Sequence, residues 1–163
     1  MQNLIENKSK IFSRNAIIYL GIIGAVGFLI RFFYFPDGIP LTFDAGGAFW
    51  YANDLSISGT FPVNINLPNN GWPTFLSVFF YFFNSNNYLD YNDLQRYVAI
   101  IISIITIIPV FILCRKFCGN GLSILGTVFF VFQPRIVENS ILGLTEPLFI
   151  LLELSCLILF LQN

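Results

Sequence analysis

The sequence predicts an all-α protein: a polytopic transmembrane helix bundle of about four spans, with an external loop that carries amphipathic surface helices. Three observations predict it. Hydrophobic residues make up 56% of the chain and charged ones only 10%, with a mean hydropathy of +0.74, whereas soluble domains carry roughly 25% charged residues. The apolar residues stand in long blocks instead of the alternating patterns that wrap a water-soluble core. Lysine and arginine gather at particular ends of those blocks, as membrane topology requires.

The first block, residues 15–35, is interrupted only by Arg31. At ~1.5 Å per residue it reaches about 30 Å, the hydrocarbon thickness of a bilayer. Lys8, Lys10 and Arg14, in a tail of residues 1–14, place its start on the cytoplasmic side. The block is too long for a secretory signal and no small-residue cleavage site follows it, so it is expected to stay as the first span. A second span is expected at 95–114, with an internal Pro109 of the kind membrane helices tolerate. Arg115 and Lys116 follow at once and make that end cytoplasmic. A third span, 119–134, returns outward and stops at Pro134, and a fourth, 145–161, goes back in. The expectation is a single multi-pass domain of the cell membrane, surrounded by lipid, with both termini cytoplasmic.

Residues 36–94 form the external loop, which is rich in Gly, Pro and Asn. Within it, 47–57 is amphipathic and suited to lying along the membrane surface. The aromatic stretch 73–83 makes a helix of roughly 18 Å, too short for a comfortable span. Counting it as one would also turn Arg115 and Lys116 outward, so it is read as a second surface helix. Asp37, Asp44, Asp54, Asp90, Asp93, Glu138 and Glu146 then all fall on the external face.

The charge pattern excludes some functions. The net charge is −1 and no Lys/Arg run has the length of a binding patch, so no nucleic-acid partner is expected. There is no histidine, and the three cysteines, Cys114, Cys118 and Cys156, lie in or beside apolar blocks. Zinc sites of the usual spacing are thereby excluded, and Cys114 and Cys118 read as small apolar residues on one helix face.

Six side chains are candidates for chemistry, most with a plain structural reading beside the functional one. Asp44 follows the first span, flanked by glycines that let a ligand approach the backbone; an Asp here also serves as a helix cap. Glu146, beside Pro147, suits the first turn of the last helix and complements its dipole, yet lies on the same side as Asp44, so the two carboxylates are placed to share a cleft. Arg96 and Arg135 are the external cations best placed to grip a phosphate in a guanidinium fork, with Arg31 a weaker third; the alternative for each is snorkelling to headgroups. Glu153 lies inside the last apolar run and is expected to face other helices or a polar cavity. Trp50, Tyr51 and Trp72 are expected as interface anchors.

The order of these features resembles the membrane glycosyltransferases that use polyprenyl-phosphate sugars, the GT-C superfamily, which includes protein mannosyltransferases and aminoarabinose transferases. The resemblance runs along nearly the whole chain. It is carried by Asp44 after the first span, Tyr51-Ala52, the turn Gly59-Thr60-Phe61-Pro62, and Trp72-Pro73 opening a short aromatic helix. Arg96 at the head of a span, Arg115-Lys116-Phe117-Cys118-Gly119 at its exit, and Pro134 followed by Glu146-Pro147 complete it. Two departures stand out: many relatives have an acidic pair in the first loop where Asp44 is here followed by Ala45, and family members are usually much longer, which makes this chain comparable to an N-terminal portion.

The resemblance implies an inverting sugar transfer from a polyprenyl-phosphate donor to an acceptor hydroxyl at the outer membrane face. Asp44 would be the base, and Arg96, Glu146 and Arg135 would support the phosphate or the acceptor. The resemblance fixes no cofactor, and a divalent metal is compatible with that chemistry. The alternative expectation is a non-catalytic membrane subunit or a component of a small-solute transporter, in which a further membrane chain would complete the bundle.

Overall fold

The computed structural model describes residues 13–161 apart from 64–66 and 68; Lys8 and Lys10 lie outside the described residues. The protein is all-α, as expected. Helix α1, Arg14–Phe33, starts where the Ser13 hydroxyl accepts the Ala16 N–H at 3.2 Å. It ends at Tyr34, ahead of Pro36, which disfavours helical backbone just before it.

Helix α2 spans Phe43–Ser58 and stops at Gly59, whose φ of 67° is the left-handed conformation of a helix C-terminus. It begins earlier than the expected 47–57, because Thr42 takes the cap position. Asp44 therefore sits inside the first turn and does not cap the helix. Helix α3, Gly71–Phe82, has 12 residues, about 18 Å.

Helices α4, Tyr88–Ile105, and α5, Ile107–Phe117, run on as one apolar helix of 30 residues. The junction at Thr106 lies one turn before Pro109, which has no N–H to offer the turn below it. Asn87 caps this helix by accepting the Leu89 N–H, so the helix starts well before the expected 95 and takes Asp90 and Asp93 out of the loop. Helix α6, Asn120–Phe132, and α7, Pro134–Ile141, meet at a bend of 48°. The ring of Pro134 cannot continue α6 but is pre-set for the first position of a new helix. Helix α8 is Glu146–Phe160.

Arg14–Phe33 and Tyr88–Phe117 are long and apolar enough to cross a membrane, and the bent α6–α7 pair makes a third if it is one span. The fourth expected span corresponds to α8, whose 15 residues reach about 22 Å, less than a bilayer core.

The continuous α4–α5 helix is the centre of the bundle, with α1, α6, α7 and α8 packed around it. One apolar core joins Ala48, Phe49 and Ala52 of α2, Trp72, Leu76 and Phe80 of α3, and Val98, Ala99 and Ile102 of α4. A second joins Ile23, Ile107 and Val131 of α1, α5 and α6. Tyr51 and Trp72 are each only 2% exposed, so they are core residues and not the interface anchors expected; Trp50, 59% exposed, keeps that position.

The two ends of the bundle differ. The Asn120 side-chain amide donates to the Ser13 hydroxyl at 3.2 Å, which brings the start of α1 beside the α5–α6 turn and gathers Arg14, Arg115 and Lys116 at one end. At the opposite end the Phe35 ring stacks on Tyr97, with centroids 4.4 Å apart, and the Gly38 N–H donates to Asp93. The segment holding α2 and α3 therefore leaves and rejoins the bundle at the same end.

Candidate functional site

At that second end a cleft of about 810 Å³ opens between the first turns of α2, the start of α3 and the first turn of α8. This falls within the roughly 300 to 1,000 Å³ of small-ligand sites. Its lining includes Asp44, Gly46, Gly47, Trp50, Asn69, Trp72, Thr145 and Glu146. The two carboxylates expected to share a cleft thus do line one. Each lies in the first turn of its helix, where the exposed backbone N–H groups favour negative charge. Asp44 is exposed and Glu146 half-buried.

The two walls are held together by Gln95 of α4. Its side chain is fully buried, and its amide nitrogen donates to the carbonyl of Ala45 at 3.1 Å and to that of Gly143 at 2.9 Å. Ala45 adjoins Asp44, and Gly143 leads into the turn before Glu146. Gly143 has a φ of +72°, and a Cβ there would meet Gln95 Cγ at 3.1 Å, so only glycine lets the turn close down on α4.

Arg96 does not line the cleft. Only 2% exposed, it neither snorkels nor points at a ligand: it donates to Asp93 at 2.9 Å, to the Pro36 carbonyl at 3.3 Å and to the Pro40 carbonyl at 3.1 Å. It therefore fastens the loop that runs from α1 to Asp44. Arg135 is exposed in the first turn of α7 and is also outside the cleft lining.

Arg31 departs furthest from expectation, for it is 0% exposed and cannot reach lipid headgroups. Its Nε donates to Ser140 at 3.0 Å, one terminal nitrogen to the Gly27 carbonyl at 2.9 Å, and the other to Ser103 at 3.1 Å and the Val131 carbonyl at 3.3 Å. One guanidinium thus ties α1 to α4, α6 and α7, using hydroxyl and carbonyl oxygens where a carboxylate would be the usual partner. Glu153 is likewise not where it was expected: it is exposed on the outer side of α8 and faces no other described helix.

Two further features belong to the site. The Trp72 indole N–H is buried beside the cleft without a hydrogen-bond partner among the described residues, a donor left open to an acceptor. No three His, Cys, Asp or Glu side chains converge among the described residues. Asp44 and Glu146 are the cleft residues whose carboxylates could serve as ligands to a divalent ion. Gln95 escaped sequence reading because a lone amide next to Arg96 carries no motif; its position in a largely apolar helix was the available signal.

Fold and site together define an all-α protein with helices of membrane-spanning length and composition, and a two-carboxylate cleft at one end of its bundle. Comparison of the chain with known protein families, curated proteins and solved structures finds no match.

Proposed function

We propose that the chain is a glycosyltransferase of the GT-C type, or the N-terminal part of one, that transfers a sugar from a polyprenyl phosphate to an acceptor hydroxyl at the outer membrane face. The observation that carries the reading is that Asp44 and Glu146, distant in sequence, line one cleft. Its polarity supports the reading too: the cleft lies at the end of the bundle opposite Arg14, Arg115 and Lys116, the end that positive charge assigns to the cytoplasm. Four spans follow if the bent α6–α7 pair and α8 both cross, and the exposed aromatic and aliphatic side chains of α3 then lie against the bilayer surface.

In this reading Asp44, exposed at the cleft, takes the proton of the acceptor hydroxyl as its oxygen bonds to the anomeric carbon. The bond from that carbon to the phosphate oxygen breaks, the polyprenyl phosphate leaves with the electron pair, and the configuration inverts. Glu146 orients the acceptor or Asp44. Arg96 acts at one remove, by holding the loop that places Asp44, and Arg135 is free at the surface to meet a phosphate. Trp72 offers its indole N–H to a sugar or phosphate oxygen.

The test is sugar transfer in proteoliposomes from a labelled polyprenyl-phosphate donor to an acceptor hydroxyl. Formation of an inverted glycoside supports the reading, and failure with every such donor overturns it for this chain. The second reading, a non-catalytic membrane subunit, is favoured by one observation, the exposed carboxylate of Glu153 on α8.

A further inference from the structure

The side of α8 turned away from the bundle is apolar except for one carboxylate. Pro147, Leu148, Leu151 and Ile158 are the packed side, against the α4–α5 helix. Phe149, Leu152, Glu153, Cys156 and Phe160 are exposed, and their spacing of three and four residues makes one continuous stripe. Glu153 is two helical turns from Glu146 at the cleft, about 10 Å further along the axis into the bundle. Where α8 crosses the bilayer, as in the proposed reading on which this inference rests, a carboxylate turned to hydrocarbon at that depth is costly unless a donor faces it.

No cation of the described residues reaches this stripe. Arg31 and Arg96 are buried and engaged, Arg14, Arg115 and Lys116 stand at the opposite end, and Arg135 is in the first turn of α7. A second copy packed on the same stripe by two-fold symmetry would set carboxylate against carboxylate, a juxtaposition of like charges. Charge complementarity therefore selects a different occupant. We propose that the Phe149, Leu152, Glu153, Cys156 stripe of α8 docks a transmembrane helix of another membrane chain, one that carries a lysine or arginine at the depth of Glu153. The small Cys156 side chain beside Glu153 lets that helix approach closely.

The test uses the chain reconstituted in phosphatidylcholine vesicles with a leucine-alanine transmembrane peptide of about 20 residues. The peptide carries a central arginine, leucine or glutamate, and association is read by energy transfer between dyes on the two partners. The arginine peptide is expected to bind about tenfold more tightly than the leucine peptide. Glu153→Leu should abolish that difference, and Glu153→Lys should transfer the preference to the glutamate peptide. Because Glu153 is exposed, both variants keep the helical circular dichroism of the parent, which separates lost docking from lost folding. Equal binding of the arginine and leucine peptides to the parent chain would overturn the proposal. So would Glu153-dependent self-association without peptide, which would make the occupant a second copy.

Discussion

The side-chain amide of Gln95 donates to the Gly143 carbonyl at 2.9 Å, and the same nitrogen reaches the carbonyl of Ala45, the neighbour of Asp44, at 3.1 Å. A single buried residue in the middle of the chain thereby sets the separation of two cleft walls that come from its beginning and its end. The geometry of the Asp44 and Glu146 cleft rests on α4 as much as on the helices that bear the carboxylates.

Gln95→Leu removes both hydrogen bonds while filling similar space. The expected loss is about 1–3 kcal/mol of stability, the cost of a buried polar group left unpaired. Detergent unfolding followed by circular dichroism would read it. Transfer activity should fall further than stability accounts for, because the walls are no longer in register.

Gly143→Ala brings a Cβ within 3.1 Å of Gln95 Cγ at a φ of +72°. Left-handed backbone costs a non-glycine residue roughly 1–2 kcal/mol before any collision. A thermal midpoint below that of the parent in the same detergent is the expected result, with Gly121→Ala as a comparison, since nothing stands within 4 Å of a Cβ there.

Arg31→Lys keeps the charge but replaces a planar fork with a single ammonium. Lysine cannot reach Ser140, Ser103 and the carbonyls of Gly27 and Val131 together, so a destabilisation of about 1–3 kcal/mol is expected. The same unfolding measurement checks it, and equal stability of parent and variant would show that charge alone suffices.

Gly27→Leu tests the packing beneath that arginine. A Cβ at Gly27 would stand 2.5 Å from Val131 Cγ1, so the Val131 side chain must turn away or α1 and α6 must separate to admit a side chain. The expected outcome is a loss of about 1–3 kcal/mol, the range of overpacked cores, together with faster proteolysis of the α6–α7 bend.

The all-α fold and its helices of membrane-crossing length were legible in the blocks of apolar residues, and the pairing of Asp44 with Glu146 in the position of each beside a helix start. Arg31 and Arg96 looked like surface cations because a sequence shows neither the hydroxyls nor the loop carbonyls that folding brings to them from distant segments. Helix limits shifted where a cap lay upstream of the apolar run, as Thr42 and Asn87 do. Glu153 was expected to turn inward, yet the packed stripe of α8 is set by Leu148, Leu151 and Ile158, which leaves position 153 outside.

In the proposed reaction the Asp44 carboxylate takes the acceptor proton. Initial rates of sugar transfer from a polyprenyl-phosphate donor, measured side by side for the parent, Asp44→Asn and Asp54→Asn, test it most directly. Asp54 lies on the same helix, exposed and outside the cleft lining. Asp44→Asn is expected to lower the rate at least about 100-fold, as loss of a general base does, while Asp54→Asn stays near the parent rate. Transfer by Asp44→Asn at the parent rate would contradict it.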